Sequence, residues 1–472
     1  MRVLHIGSGF RPLRVGGLVA YIEELMDEQV RRGHDVAYFF SGRYYPYLGG
    51  PRLKRWRRGG VTMLEVVNSP LYDHGRQPEL ELDEPRTERI FERAVDEVRP
   101  DVVHFHELAG LPSSLLDKVA RADAPSVMTL ADYFPLCSTF KLVDAQGRVC
   151  LRRGVGADCV ATTAADPRAP GLLYGATVRH ELLTRRLLRR LPYEGIHRLA
   201  RSAESRIKAP PATGPQAFQR RREVNVERLN RVNRLIAISE RVAEIYSLLG
   251  VDRSRMSTVQ LTLSRVERLR PRRSQGARPV VFATLNGLAS QAKGSRLLVE
   301  AMRLLSDSVP AGSFRLIAFG RIDSAVAAEL EQLEGIEVGP AGPLSDDQLD
   351  AVLDEVDVGI IPSIWEEAYG LVGPEFLAKG IPVIANAIGG MPEYTRDGET
   401  GWLNRSCSAP ELARIMRDVV ERPEQVAQLN VRILAARDAI IKPMARHGDE
   451  IDAVYRELVS HGPAQPQVSR IG

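Results

Sequence analysis

The chain has 472 residues, of which 44% are hydrophobic and 26% are charged, and its formal net charge is +4. This is the composition of an ordinary globular protein, long enough for two or three domains with cores of their own. The small net charge gives no argument for nucleic-acid binding by the whole protein. The N-terminus lacks the apolar core of a signal peptide, and no segment approaches the roughly 20 apolar residues of a membrane span. We therefore expect a cytoplasmic protein.

The N-terminal half opens with a pattern typical of a parallel α/β sheet. Strands are predicted over 3–6, 35–40, 101–105, 126–130 and 235–239, and helices over 18–32, 87–98 and 240–249. Strands that alternate with helices in this way form βαβ units. Residues 1–268 are thus predicted to form one Rossmann-like domain.

The alternation of strands and helices starts again after a Pro-, Arg- and Gln-rich segment, 269–279, which is typical of an interdomain linker. Strands are predicted over 280–284, 314–319, near 337 and over 356–362, and helices over 295–305, 324–333, 345–353, 372–379, 409–420, 424–440 and 444–458. We expect a second Rossmann-like domain over 280–440 and a disordered tail over 461–472. Two such halves would leave a cleft that the carboxyl ends of their strands face.

A strongly basic segment interrupts the first domain. Between Arg179 and Arg234 there are fifteen basic and five acidic residues, and we interpret 151–234 as a basic helical insertion. Within it, leucines share one helical face while Arg185, Arg186 and their neighbours lie mostly opposite. Such a helix either packs on the first domain with a solvated charged face or contacts an anionic membrane surface at the inner membrane face.

The cysteines show no C-x-x-C pair and need form no disulfide in a reducing compartment. Cys137, Cys150 and Cys159 do fall in one loop-like stretch, where a metal site is conceivable, but no close-spaced ligand pair anchors it. No two aspartates are two positions apart, so the chain has no Asp-x-Asp element to hold a divalent metal on a diphosphate. We assign no metal ligands.

Two glutamates, Glu367 and Glu375, flank a predicted turn between a strand and a helix. Such carboxylates can hold the hydroxyls of a polyol, while the free N–H groups of Gly370, Leu371 and Val372 face an anion at the helix N-terminus. A sugar joined to a diphosphate needs both kinds of contact. Taken alone, a pair of glutamates is more often solvated surface charge.

Gly16 and Gly17, directly before the first predicted helix, would let the backbone approach a phosphate at the positive end of that helix. The alternative is a plain turn. Gly7 and Gly9 begin a dinucleotide fingerprint, but the third glycine is missing because position 12 is proline. A Rossmann dehydrogenase is therefore poorly supported.

The segment 362–403 closely resembles the donor-site signature of the retaining nucleotide-sugar glycosyltransferases of family four, which have the two-domain GT-B fold. The matching positions are Pro362, Ser363, Glu367, Gly370, Leu371, Val372, Glu375, Ala378, Gly380, Pro382, Val383, Ala385, Gly389, Gly390, Glu393, Gly398, Thr400 and Gly401. The resemblance extends over roughly 1–150 and 235–440. It implies two doubly wound Rossmann-like domains that face each other across a cleft, with a helix over 441–460 that returns toward the first domain.

The same resemblance implies roles for individual residues. Glu367 would position the sugar hydroxyls, Glu375 the ribose, and Lys293 with Gly294 the donor diphosphate. Backbone contacts to the donor would come from Gly16, Gly17, Gly370, Leu371 and Val372. His106, in a strand similar to the one that ends in histidines in the family, and Asp132 would contact the sugar or acceptor and complete the catalytic set.

The chain departs from the family pattern in two places. The stretch 285–290 has no cation where the family usually places an arginine about five residues before the lysine, unless Arg296 or Arg321 reaches in. Ala131 occupies the slot of a histidine that touches the donor sugar. His106 could take over part of that task, although a histidine at a strand end is more often a structural group.

The resemblance implies a retaining, metal-independent transferase without a cofactor. It would move a sugar from a nucleotide diphosphate sugar to a hydroxyl of a glycan, a lipid-linked acceptor or a small molecule, in glycan or polysaccharide biosynthesis. One rival is a catalytically impaired GT-B scaffold that acts as a binding or partner subunit, which Ala131 and the missing arginine motivate. A nucleotide-sugar epimerase of the same fold is a second rival, but we find no acid/base set for its elimination step.

Overall fold

A computed structural model describes residues 1–11, 13–14, 16–45, 49–69, 78–119, 124–165, 214–274, 276, 278–339 and 344–461. The chain divides into two compact units, the first Met1–Gln260 with the last helix from Met444, the second Leu261–Pro443. Each unit is built on an open, mostly parallel sheet. Across these described ranges no helix combines the length and the apolar character needed to cross a bilayer.

The first unit holds an eight-stranded sheet in the order β3-β4-β2-β1-β5-β6-β7-β8. Its strands are β1 (Arg2–Gly7), β2 (Asp35–Ser41), β3 (Arg52–Arg58), β4 (Val61–Val67), β5 (Val102–Phe105), β6 (Ser126–Leu130), β7 (Arg234–Ala237) and β8 (Met256–Thr258). Its helices are α1 (Gly17–Arg31), α2 (Pro85–Val98), α3 (Leu115–Val119), α4 (Ala157–Ala165), α5 (Pro215–Leu229) and α6 (Glu240–Leu248). The strand order reverses between β1 and β5, which is the switch point where doubly wound sheets bind ligands.

The hairpin of β3 and β4 is the main element of this unit that the sequence did not predict. It is the antiparallel pair of the sheet, and β3 is the edge strand. The sequence of β3, RLKRWRR, is too basic to show an apolar alternation. Its charges suit an edge strand, because charged side chains discourage pairing with another chain.

The second unit holds a six-stranded, all-parallel sheet in the order β11-β10-β9-β12-β13-β14. Its strands are β9 (Val280–Thr284), β10 (Phe314–Ala318), β11 (Ile336–Val338), β12 (Val358–Ile361), β13 (Val383–Asn386) and β14 (Gly401–Asn404). Its helices are α7 (Ser264–Arg268), α8 (Ser295–Ser306), α9 (Ser324–Glu331), α10 (Asp346–Leu353), α11 (Val372–Lys379), α12 (Ala409–Glu421), α13 (Glu424–Ala435) and α14 (Arg437–Ile440). Its switch point lies between β9 and β12.

Most predicted elements of the second unit are confirmed, and α11 coincides with its predicted range. The single helix predicted over 424–440 is wrong, because it divides at Ala436 into α13 and α14. The core packs apolar side chains of α8 and α12 against the sheet, with Phe282, Leu298, Met302 and Met416 fully buried.

Helix α11 is anchored by a buried charge at its last residue. Lys379 is completely buried, and its Nζ donates to Asp350 Oδ1 at 2.5 Å and lies 2.8 Å from Asp354 Oδ1. Asp350 lies within α10 and is nearly buried, and Asp354 is the C-cap residue of this helix and is half exposed. The ion pair of Lys379 with Asp350 therefore fixes the C-terminal end of α11, the helix that follows the turn after Glu367.

We expect Asp350→Ala to destabilise the second unit by about 3 kcal/mol, because it removes the buried partner of a buried ammonium group. Asp354→Ala is the matched control, since it removes the exposed partner of the same lysine and should cost less than about 1 kcal/mol. The free energy of unfolding in urea measures both. Equal costs for the two variants would contradict the anchoring role of Asp350.

The last helix, α15 (Met444–His461), packs on α1 and contributes to a buried chain of polar side chains in the first unit. This hydrogen-bond network begins at His106, whose Nε2 is bonded to His5 Nδ1 (2.8 Å), and His5 Nε2 is bonded to Gln29 Oε1 (2.6 Å). Gln29 Nε2 then contacts Tyr455 Oη (3.4 Å). Tyr455 Oη is bonded to His104 Nδ1 (2.5 Å), and His104 Nε2 to Thr129 Oγ1 (2.7 Å). Tyr21 Oη meets His447 Nε2 at 2.9 Å beside it.

The direction of these hydrogen bonds follows from one acceptor. Gln29 Oε1 can only accept, so His5 carries its proton on Nε2, and its Nδ1 accepts from His106 Nε2. Gln29 Nε2 donates to Tyr455, whose hydroxyl proton is then available for His104 Nδ1. The imidazoles are therefore neutral, and burial lowers the pKa of His5 to about 4 and those of His104 and His106 well below the usual value.

Because the folded state resists protonation of His5, the unfolded state binds the proton first as the pH falls below 6.5. The contribution of neutral His5 to stability is thus present near pH 7 and lost between pH 6.5 and pH 4. We expect the destabilisation caused by His5→Gln to shrink by up to about 3 kcal/mol over this window. Urea unfolding of both proteins at several pH values measures the difference, and a cost independent of pH would contradict it.

Candidate functional site

The carboxyl edge of the second sheet brings Lys293 and Glu367 together. Lys293 Nζ donates to Glu367 Oε2 at 2.8 Å, and the two side chains keep 26% and 14% of their exposure. Trp365 Nε1 (2.9 Å) and Ser363 Oγ (3.2 Å) donate to the same carboxylate oxygen. Asn286 closes a ring, since it accepts from Lys293 at 3.2 Å and donates to Ser363 at 2.6 Å. The site therefore presents a cation and a carboxylate held in fixed positions at a solvent-accessible edge.

Two glycine turns create this geometry. Gly294 has a φ of +76°, and a Cβ there would lie 1.8 Å from the carbonyl oxygen of Pro362, so the loop that carries Lys293 can lie directly on the end of β12. Gly389 has a φ of +64°, and a Cβ there would lie 2.3 Å from the carbonyl oxygen of Glu367. These two close approaches explain why glycine occupies both positions.

The N-terminus of α11 lies directly after the Glu367 turn. Gly370 adopts a φ of +79°, Leu371 is the N-cap residue, and α11 begins at Val372. No side chain caps this helix end. The Gly373 N–H donates to the Gly370 carbonyl and Pro374 has no N–H, so the N–H groups of Leu371 and Val372 are the ones available to an anion.

Glu375, in contrast, is buried and held in a separate ion pair. Its carboxylate accepts from Arg265 of α7, and burial raises the pKa of Glu375 while Arg265 opposes that rise. Any hydroxyl that Glu375 binds must share the carboxylate with this guanidinium. Sequence analysis missed Arg265, because it lies in the segment after Thr258 that matches no motif.

Glu366 is a second residue that sequence analysis missed. It is buried, and its carboxylate accepts from the backbone N–H of Gly389 at 3.1 Å. It thereby helps to hold the glycine turn that faces Glu367. Its adjacency to Glu367 was the only signal in the sequence.

In the first unit, Gly16 precedes α1 with a φ of +146°, and a Cβ there would meet no atom within 4 Å. Glycine is thus required by the backbone conformation, and open space remains around it. The helix begins at Gly17 without a side-chain cap. Both glycines stay candidates for backbone contacts to a phosphate.

Asp132 lies in the loop after β6, close to a buried ion pair. Arg14 donates to both carboxylate oxygens of Glu107 at 2.5 and 2.6 Å, and Ser8 Oγ donates to the same group at 2.5 Å. Burial first, and then the charge of Glu107, raise the pKa of Asp132 to about 7. Asp132 therefore changes charge near neutral pH, which suits a group that exchanges a proton with a hydroxyl. The ion pair was not predicted, although Glu107 lies two residues after the end of β5.

The structure places His106 within the core. Its Nε2 is bonded to His5, and its buried Nδ1 finds no hydrogen-bond partner in the described ranges. The contact of His106 with a sugar stays a prediction.

The two arginines considered as substitutes for the missing cation differ in their surroundings. Arg296 forms an ion pair with Glu329 on the neighbouring helix. Arg321 is exposed, and its carbonyl accepts from Leu288 N at 2.9 Å, which ties its loop to the stretch without a cation. The backbone at Arg321 thus lies beside this stretch, whereas the Arg296 guanidinium is engaged by Glu329.

The described part of the basic segment is more buried than its charge suggests. Arg221, Arg222 and Arg228 of α5 are buried and donate to backbone carbonyls and, for Arg221, to Glu81 at 2.5 Å. These three arginines are not available to an anionic surface. Arg179, Arg185, Arg186, Arg189 and Arg190 lie outside the described residues, and for them membrane contact stays a prediction.

Comparison with known proteins agrees with this geometry. The family model described as "Glycosyl transferase 4-like domain" matches residues 16–191, and the model "Glycosyl transferases group 1" matches residues 279–422. The chain is 32% identical over 224 residues to a D-inositol 3-phosphate glycosyltransferase of Pseudarthrobacter chlorophenolicus, which covers 45% of this chain and 53% of that protein. A Corynebacterium diphtheriae protein of the same name is 35% identical over 186 residues, 38% of this chain and 43% of that protein. The chain spans about half the length of these curated relatives.

Solved structures show the same fold. Sucrose-phosphate synthase from Thermosynechococcus elongatus matches with a TM-score of 0.63 at 14% identity, over 98% of this chain and 100% of that chain. Anabaena HepE, solved with UDP and glucose, matches with a TM-score of 0.58 at 15% identity, over 97% of this chain and 100% of that chain. The two family models together match well over half of the residues. The chain belongs to the group 1 glycosyltransferases of family four and has the GT-B fold.

Proposed function

We propose that the protein transfers a glycosyl unit, with retention of configuration, from a nucleotide diphosphate sugar to an acceptor hydroxyl. The observation that carries this proposal is the contact of Lys293 with Glu367 at the carboxyl edge of the second sheet, next to the uncapped N-terminus of α11. A cation, a helix N-terminus and a carboxylate are what a diphosphate joined to a sugar requires. The similarity to glycosyltransferases, and the UDP-glucose complex of HepE, agree with a donor of this kind.

In this mechanism Lys293 exchanges its contact with Glu367 for the donor diphosphate. The ammonium and the N–H groups at Leu371 and Val372 then stabilise the negative charge that grows on the leaving phosphate. Glu367, freed from Lys293 but still held by Trp365 and Ser363, accepts from the sugar hydroxyls. The acceptor attacks from the face that the leaving group departs from, and the leaving phosphate takes its proton.

Glu375 would bind the ribose hydroxyls together with Arg265. Asp132 would hold the acceptor hydroxyl, and its raised pKa keeps it able to act as a hydrogen-bond donor or acceptor near neutral pH. A glycan, a lipid-linked saccharide or a polyol phosphate is the class of acceptor that such a site accommodates, and cytoplasmic glycan biosynthesis is the setting we propose.

The general test is a screen of nucleotide sugars by thermal shift, followed by mass spectrometry of reactions with an acceptor panel that includes inositol phosphate. A donor at 100 times its Kd should add about 2.7 kcal/mol of stability. Comparison of anomeric configuration in donor and product by NMR tests retention. A chain that binds a donor but transfers nothing to any acceptor would instead be a binding subunit.

We expect Glu375→Ala to weaken binding of the free nucleoside diphosphate by about 1.5 to 3 kcal/mol, because it removes hydrogen bonds to a charged group. Glu367→Ala should leave that affinity nearly unchanged and mainly lower turnover, since it acts on the sugar. Glu355→Ala, at an exposed position of the same unit, is the control. Isothermal titration and initial rates measure the two effects, and equal losses of nucleotide affinity would contradict separate roles.

We expect transfer to survive excess EDTA, because the chain has no Asp-x-Asp element and Lys293 with α11 carries the diphosphate charge. The measurement is the initial rate after dialysis against EDTA, with Mg²⁺ and Mn²⁺ added back separately. Loss of activity that either of these ions restores would overturn the metal-independent mechanism.

A further inference from the structure

Arg265 of α7 contacts the buried Glu375 in the first turn of α11. The side chain of Glu375 keeps 3% of its exposure, whereas that of Arg265 keeps 30%. Arg265 Nη2 donates to Glu375 Oε1, and across the described residues Glu375 Oε2 accepts no hydrogen bond. One oxygen of the carboxylate is therefore occupied, and the other is left for a ligand.

Helix α7 is fixed against α11 by the guanidinium of Arg437, the first residue of α14. Its Nε donates to the carbonyl of Ala378 in α11 at 2.9 Å, and its Nη2 donates to the carbonyl of Leu269, the C-cap residue of α7, at 3.1 Å. The backbone that carries Arg265 is therefore tied to α11 by bonds other than the contact with Glu375.

The charges around Glu375 give Arg265 a specific task. Burial raises the pKa of Glu375, Arg265 opposes this rise through its charge and its hydrogen bond, and the negative charge of Asp346 on α10 adds to the rise. The other cations of α7 and α11 that lie close by, Arg268 and Lys379, form ion pairs with aspartates of α10. Among the described residues, Arg265 is thus the cation that contacts this carboxylate and favours its ionised form.

We propose that Arg265 is a positioning residue for the nucleotide: it keeps Glu375 ionised and holds Oε1, so that Oε2 is presented to the ribose hydroxyls. This inference rests on the proposed function, in which Glu375 binds the ribose of the donor. An ionised carboxylate accepts a stronger hydrogen bond than a neutral carboxylic acid does. A carboxylate that is already held also loses less conformational freedom when the nucleotide binds.

The opposite interpretation is that Arg265 blocks Glu375 and competes with the nucleotide for it. Removal of Arg265 would then free both carboxylate oxygens and strengthen binding. Two observations favour positioning over blocking. Arg265 donates to one of the two oxygens, and a carboxylate as buried as Glu375 would take up a proton without its cation.

The test measures binding of a nucleoside diphosphate to the full chain by isothermal titration between about pH 5.5 and pH 8.5. The probe is UDP, GDP or ADP, whichever the wild-type protein binds most tightly. We expect Arg265→Met to weaken binding about tenfold near neutral pH. As the pH falls, the loss of affinity should begin at a higher pH in this variant, because Glu375 is protonated more readily. The probe's own phosphates titrate equally in both experiments, so the difference between the proteins reports on Glu375.

Three further variants separate positioning from a general loss of structure. Arg303→Met, the matched control, removes an arginine of α8 that is bound to Glu329 and should match the wild type in affinity and pH profile. Arg265→Lys keeps a positive charge, should lose less affinity than Arg265→Met, and carries the comparison if Arg265→Met does not fold. In a Glu375→Gln background, Arg265→Met should weaken binding less than about twofold further, because a positioning residue acts through the carboxylate.

Three results would overturn the inference and leave the proposed function intact. The first is an Arg265→Met protein with the affinity and pH profile of the wild type. The second is tighter binding by this variant, which would identify a blocking contact. The third is an equal loss of affinity with and without Glu375→Gln, which would mean that Arg265 contacts the probe directly. A wild-type chain that binds none of the three diphosphates would instead overturn the proposed function, and the inference with it.

Discussion

The contact between Lys293 and Glu367 is the interaction on which the site of the second unit depends. The two residues lie far apart in sequence, and they meet because parallel strands β9 and β12 are neighbours whose carboxyl ends share one edge of the sheet. Two glycines with positive φ let the flanking loops approach to backbone contact. Trp365, Ser363 and Asn286 then hold both charged groups while leaving them partly accessible. A ligand that carries its own phosphates and hydroxyls can replace this contact without rebuilding the loops.

Buried charges recur in both units, and each is compensated within hydrogen-bond distance. Lys379 is matched by Asp350, Glu375 by Arg265, and Glu107 by Arg14. Isolated charges in these positions would cost several kcal/mol, so the partners are as necessary as the residues they accompany. The same requirement explains why Arg221, Arg222 and Arg228 of α5 are directed inward: each donates to carbonyl or carboxylate oxygens that α5 covers. A strongly basic stretch of sequence is thus only in part a basic surface.

In the polar core of the first unit, the buried histidines are neutral, so no charge has to be compensated there. His5, His104 and His106 are kept neutral by burial, and hydrogen bonds through Gln29, Tyr455 and Thr129 connect β1, β5, α1 and the last helix inside the core. Toward the carboxyl edge of the same sheet, the side chains are charged. There, burial and then the charge of Glu107 raise the pKa of Asp132.

The sequence by itself determined the fold class and most elements of both sheets, because apolar periodicity and glycine turns are local properties. It also singled out Glu367 through a continuous signature, and Lys293 through a separate short motif, as candidate site residues. It missed β3, whose charges hide its strand, and Arg265, Glu366 and the Arg14–Glu107 pair, which no motif contains. Only the tertiary structure decided that Glu375 is already paired and that His106 lies in a neutral network. Such pairings depend on which strands and helices become neighbours, and burial and electrostatic compensation act between neighbours in space, which a one-dimensional pattern does not record.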